Sequence, residues 1–140
     1  MKKEMFDSKF GIEIELTGIT REEAAKVVAD TVGGRIEYIR DNYDRRNIIQ
    51  PDGRKWSIVY DGSIIKKKRN NRIQISAGYE YSVELVSPIL TYYEDIDTLQ
   101  QIVRNLRQAG GFANKDTQCG IHIHLDGEPH NAKTLRNFII

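Results

Sequence analysis

Three short stretches of this chain alternate apolar and polar residues with a period of two, and each carries groups on its polar side that can hold a metal. Phe10–Leu16 reads FGIEIEL, with Ile12, Ile14 and Leu16 pointing one way and Glu13 and Glu15 the other. Tyr79–Val86 reads YEYSVELV, with Tyr79, Tyr81, Val83 and Leu85 on one side and Glu80, Ser82 and Glu84 opposite. Cys119–Leu125 reads CGIHIHL and holds two of the three histidines, His122 and His124, in an otherwise apolar run. Alternation of this kind predicts half-buried strands, because successive side chains on a strand leave on opposite faces. Residues i and i+2 then lie ~7 Å apart on one face, so each pair can converge on one site. Such strands make a sheet with one apolar face, with Cys119, Ile121, Ile123 and Leu125 on its buried side, and one polar face.

The segments between supply the cover. Thr20 and Glu23 form a capping box ahead of a helical stripe of Ala24, Val27, Val28 and Val32, which Gly33 or Gly34 ends. Ile96, Leu99, Ile102, Val103 and Leu106 recur at helical spacing between about Tyr93 and Ala109, and Gly110-Gly111 closes that helix. Tyr38–Asn42 and Trp56–Tyr60 read as further strands around a Pro51-Asp52-Gly53 turn. Asp61-Gly62-Ser63 is a tight turn, and Lys66–Arg72 a solvated loop or hairpin tip. Asn131 is placed to cap a last helix carrying Leu135, Phe138, Ile139 and Ile140. The order strand, helix, several strands, helix, strand, helix predicts one α+β domain with a mainly antiparallel sheet and helices packed on one face.

Charge narrows the function. Against 20 acidic residues stand 21 basic ones, a net charge of +1 that creates no field for nucleic acid or a membrane surface. No run approaches the ~20 apolar residues of a membrane span, and no apolar stretch follows Lys2 and Lys3 as in a signal peptide. The single cysteine, Cys119, allows no internal disulfide, so the expected location is the cytoplasm. Carboxylates with a few imidazoles suit Mg²⁺ or Mn²⁺ rather than structural zinc, which favours clustered thiolates. Asp61 adds a further carboxylate at the rim of the sheet. Each motif has a plain alternative: Glu13-x-Glu15 as a solvated strand face, the Lys66–Arg72 run as a solvated loop. Their coincidence on three strands favours a site.

The stretches FGIEIELTGITREEAAKVV, YDGSI, YSVELVSPIL and CGIHIHL, in this order and at these spacings, resemble the amidoligase family of bacteria and phages. These are carboxylate–amine ligases with a glutamine-synthetase-like fold, and the pattern is more distantly similar to glutamate–cysteine ligases. The resemblance spans about Phe10 to Phe138. It implies ATP-dependent amide-bond formation, in which ATP phosphorylates a substrate carboxylate and an amine attacks the acyl phosphate. Mg²⁺ or Mn²⁺ clamps the triphosphate in such chemistry. Carried onto this sequence, the resemblance implies Glu13, Glu15, Glu84 and His122 as metal ligands. Glu15, Glu84 and His124 would serve the bound ATP, and Asp61 and His122 the catalysis, Asp61 near the metal or the incoming amine. The implied substrates are an amino-acid or peptide carboxylate and an amine. Family members continue beyond this length, so residues 1–140 are expected to be the N-terminal part of a single catalytic domain, inactive alone. Two other readings stay open: a non-catalytic module that binds a partner or forms a homo-oligomer through an open sheet edge, and a metal-dependent hydrolase.

Overall fold

The computed structural model describes residues 8–125. The chain forms β1 (Lys9–Leu16), α1 (Arg21–Val32), β2 (Arg35–Ile39), β3 (Arg45–Ile49), β4 (Lys55–Val59), β5 (Lys67–Asn70) and β6 (Ile73–Ser76). It continues through β7 (Val83–Val86), β8 (Leu90–Thr91), α2 (Tyr92–Gln108) and β9 (Ile121–Leu125), with 3₁₀ turns at Tyr79–Tyr81 and Lys115–Thr117. The main sheet runs β2-β3-β4-β7-β1-β9 and every pairing in it is antiparallel. Strand β8 continues β7 along the same edge of β1, pairing Phe10 with Leu90 while β9 pairs Phe10 with Leu125 on the other edge. The fold is therefore α+β with a mainly antiparallel sheet.

One face of that sheet is the core. Phe10, Ile12 and Leu16 of β1, Trp56 and Ile58 of β4, and Val83 and Leu85 of β7 are buried beneath Ala24, Ala25 and Val28 of α1 and Leu99, Ile102 and Leu106 of α2. Each fully buried large apolar side chain contributes ~1.5–3 kcal/mol, so covering this face drives the layering. The Thr20 hydroxyl accepts from the Glu23 N–H at 3.1 Å, and Glu23 Oε1 accepts from the Thr20 N–H at 2.9 Å. Gly33 ends α1 at a φ of 67°, which a residue with a Cβ adopts only under strain. At the head of α2, the buried carboxylate of Asp95 takes a two-pronged hydrogen bond from Arg54 (3.1 and 2.9 Å) and one from the Thr91 N–H (2.9 Å). That pair ties α2 to the turn before β4.

Several elements depart from the sequence expectation. The strand expected at Tyr38–Asn42 lies earlier, at Arg35–Ile39, because it pairs with Arg45–Ile49. That partner strand opens with two arginines and shows no alternation of its own. The Lys66–Arg72 segment, by contrast, is the hairpin tip that was one of its two expected readings: it belongs to the β5–β6 hairpin, whose Asn71 and Arg72 both take positive φ (51° and 74°) as a type I′ turn requires. Tyr79–Tyr81 is a 3₁₀ turn, so Glu80 does not continue the polar face of β7 and Tyr79 is exposed rather than buried. The cause lies in α1. Arg21, 1% exposed, donates to the carbonyls of Tyr79 (3.0 Å) and Ser82 (2.8 Å), which turns this backbone inward. Its guanidinium lies against the rings of Tyr60 and Tyr79 and pairs with Asp44 at 2.8 Å. On β9, Ile121 is 58% exposed and Ile123 and Leu125 are only partly covered, so the described residues do not bury the apolar side of β9 as expected. Cys119 precedes the strand. The helix expected from Asn131 lies outside the described residues.

Candidate active site

The open face of the sheet gathers the acidic residues by register. Antiparallel pairing sets Glu15 directly opposite Glu84, and Glu84 opposite Val59, so one row crosses β1, β7 and β4. Asp61 follows β4 and reaches the same spot from the rim. Oxygens of Glu15, Asp61 and Glu84 all lie within 4.8 Å of one another. Donors on opposite sides of an octahedral Mg²⁺ are about 4.2 Å apart, so small side-chain rotations would bring this trio around one ion. The donor set is all oxygen, which fits a hard divalent cation. Cys119 adds no thiolate, since burial pushes its thiol up.

Backbone and side-chain bonds hold Glu15 and Asp61. The Gly120 N–H donates to Glu15 Oε1 at 2.8 Å, and the Glu15 N–H returns a bond to the Gly120 carbonyl at 3.0 Å. Asp61 Oδ1 accepts from both the N–H (2.9 Å) and the hydroxyl (2.7 Å) of Ser63, closing the Asp-Gly-Ser turn. Ser82 grips the Asp61 backbone from behind: its hydroxyl donates to the Asp61 carbonyl at 2.6 Å and accepts from the Asp61 N–H at 2.8 Å. Because Arg21 binds the Ser82 carbonyl, the buried strut under α1 extends to the turn that carries Asp61.

Packing like charges together has an electrostatic cost. Burial pushes the Glu84 carboxyl up to about 7, and the nearby Asp61, Glu13 and Glu15 add to the rise while His122 opposes it. Glu15 is raised as well, first by burial and then by its hydrogen bond to Asp61. Burial also acts on Asp61, but the hydrogen bonds from Glu15 and Ser63 outweigh it and keep its carboxyl below the usual range. The contact between Glu15 and Asp61 thus raises the one carboxyl and lowers the other. Burial and like-charge crowding favour the protonated forms of Glu84 and Glu15.

The remaining residues anticipated from the sequence stand around this trio. Glu13 points to the same face, but its Oε2 lies 2.7 Å from His124 Nε2, a diagonal partner across the β1–β9 ladder. His122 is directly opposite Glu13 in that ladder, exposed, and near enough to pull down the carboxyls of Glu15, Asp61 and Glu84. Two cavities of about 830 and 570 Å³ meet at Glu13 and Val86, forming a trough along the open face. The first runs over Gly11 toward His124, and the second passes Asp61 and Glu84 toward Tyr43 and Arg45. Sequence reading did not find the Ser82 clamp, the Gly120 N–H or Arg45. Only the serine had a signal, its place two residues before Glu84.

An α+β domain with a carboxylate cluster on the sheet face away from its described helices is the class that fold and site define. The family model described as "Putative amidoligase enzyme" matches residues 7–140. The chain belongs to the amidoligase family. No match was found among curated proteins or among solved structures. No helix among the described residues is long and apolar enough to cross a membrane.

Proposed function

We propose that this amidoligase is an ATP-dependent carboxylate–amine ligase whose divalent-cation site is formed by Glu15, Asp61 and Glu84. The convergence of their oxygens within 4.8 Å carries the reading. An all-oxygen donor set suits Mg²⁺ or Mn²⁺, and an ion held by these carboxylates would keep its remaining positions for substrate phosphates and water. When bound, it would offset the negative charge of a triphosphate during phosphoryl transfer to a carboxylate.

The protein's own groups then have distinct tasks. Glu15 and Glu84, fixed by the β1–β7 register and by Gly120, hold the site in place. Asp61 keeps its charge and sits at the rim, where it would attract the ammonium of an arriving amine and orient it. His122 stands beside Glu13 on the exposed edge strand, positioned to donate to a phosphate oxygen. The two cavities that share Glu13 and Val86 offer a place on each side for an acid and an amine. The substrates proposed are an amino-acid or peptide carboxylate and an amine, handled in the cytoplasm.

The test is ADP release by the full-length protein that carries this domain, with Mg²⁺, ATP and a panel of amino acids paired with amines. Release that depends on the amine, and is lost in the Glu13→Ala plus Glu84→Ala variant, is the expected result. Turnover unchanged in that variant would overturn the assignment, and phosphate release without any amine would point instead to a hydrolase.

A further inference from the structure

The acidic row across the sheet ends in a cation. Beyond Glu15, Glu84 and Val59, the next strand is β3, paired to β4 through Arg46 opposite Ile58. Arg45, one residue further, is on the same face as Asn47, and its side chain lines the 570 Å³ cavity together with Asp61 and Glu84. Strands are ~4.8 Å apart, so the Arg45 backbone is about 10 Å from that of Glu84, with Val59 as the apolar floor between them. A guanidinium serving only to neutralise the carboxylates would pair with them. Among the described residues Arg45 makes no ion pair with Glu13, Glu84 or Asp61; its partner is Asp41, through Nε at 3.1 Å.

Asp41 and the Tyr43 ring, whose centroid lies 5.9 Å from the guanidinium carbon, orient the group. Asp41 Oδ1 accepts from the Tyr43 N–H (3.0 Å) and the Arg45 N–H (3.3 Å), so the carboxylate is fixed by the backbone before it holds Nε. The two terminal nitrogens carry no hydrogen bond to any described residue, and the side chain is a third exposed. A fork held at its base with free tips in a cavity is the geometry that receives a planar or tetrahedral oxyanion in two-pronged fashion. We propose that Arg45 binds an oxyanion of a substrate lying in the trough, at the end away from the β9 histidines, while the reacting end of that substrate lies at the carboxylate cluster. This deepens the ligase reading and rests on it for the identity of the cluster as a cation site. The oxyanion belongs either to a second carboxylate of the acid substrate or to a nucleotide phosphate.

Calorimetric titrations of the full chain separate these sources. Mn²⁺ is titrated first, then glutarate and tripolyphosphate in separate arms, each with and without Mn²⁺, into the wild type, Arg45→Ala and Arg45→Gln. The expected result is that both variants bind Mn²⁺ within about twofold of the wild type but bind one probe at least tenfold more weakly, the size of a lost charge-assisted hydrogen bond. Loss confined to glutarate assigns the substrate carboxylate, and loss confined to tripolyphosphate assigns the nucleotide. Equal affinity of the variants for both probes, or no binding of either probe to the wild type in any arm, would overturn the proposal. Weakened Mn²⁺ binding in both variants would also overturn it, by making Arg45 a prop of the cluster. Failure of the wild type to bind Mn²⁺ would count against the cation site itself, and the metal-free arms would still decide the role of Arg45. Arg45→Gln keeps a donor for Asp41, so a folding defect confined to Arg45→Ala leaves the result readable.

Discussion

Replacing Glu84 with glutamine is expected to weaken Mn²⁺ binding at least a hundredfold while making the metal-free protein more stable at pH 8. Both effects come from one arrangement. Glu84 is half-buried opposite Glu15, with Asp61 and Glu13 close by, and burial followed by these charges raises its carboxyl to about 7. A group raised above its unfolded value contributes stability in full below that value, near 4.5, and loses it as pH rises through about 7. The metal-free wild type should therefore melt lower at pH 8 than at pH 5. Glutamine, nearly isosteric and never charged, removes that slope. After allowance for solvent screening the gain is about 1–2 kcal/mol at pH 8, and close to nothing at pH 5. Thermal melting at both pH values with a chelator, beside Mn²⁺ calorimetry, reads the two effects. A variant that loses stability at pH 8 would show that the cluster is not under like-charge tension.

The second large effect belongs to Asp44, on the opposite side of the sheet. Burial acts to raise its carboxyl, but hydrogen bonds from Tyr38, Arg46 and the buried Arg21 outweigh it and bring it to about 2. Asp44 also takes a φ of 49°, which asparagine tolerates well. Asp44→Asn therefore removes the charge without adding backbone strain. The expected loss is about 2–3 kcal/mol near neutral pH, the value of the shift itself, and Arg21 is left buried with only carbonyl partners. A depressed carboxyl contributes stability above its unfolded value of 3.8 and loses it as pH falls toward 2. The gap between wild type and variant should hold at pH 7, narrow below pH 4 and nearly close by pH 2. Denaturant midpoints across that range measure it, and a gap that does not depend on pH would mean the charge contributes little.

What could be read from the sequence was whatever alternation or capping encodes locally. The β1 alternation placed Glu13 and Glu15 on one face correctly, and the Thr20–Glu23 box and Gly33 bounded α1. Long-range polar bonds were not legible. Tyr79–Tyr81 alternates like a strand, yet a buried arginine 58 residues earlier bends it into a 3₁₀ turn. The β3 strand hides behind Arg45 and Arg46 because those side chains are tied to Asp41 and Asp44 in a turn just before it. For the site, the carboxylates could be named and gathered on one face, but which of them meet was not legible. Three of them, Glu15, Asp61 and Glu84, come together through β-sheet register and the Ser82 clamp. Glu13 instead meets His124 by a diagonal contact that spacing alone does not reveal.

The central claim is that Glu15, Asp61 and Glu84 hold a divalent cation, and locating the ion tests it most directly. Crystals soaked in Mn²⁺ and recorded for anomalous scattering should show a peak between those carboxylates, about 2.0–2.4 Å from an oxygen of each. The same peak should be missing from crystals of Glu84→Gln. A strong peak elsewhere on the protein with none among these residues, or an unaltered peak in the variant, would contradict the account.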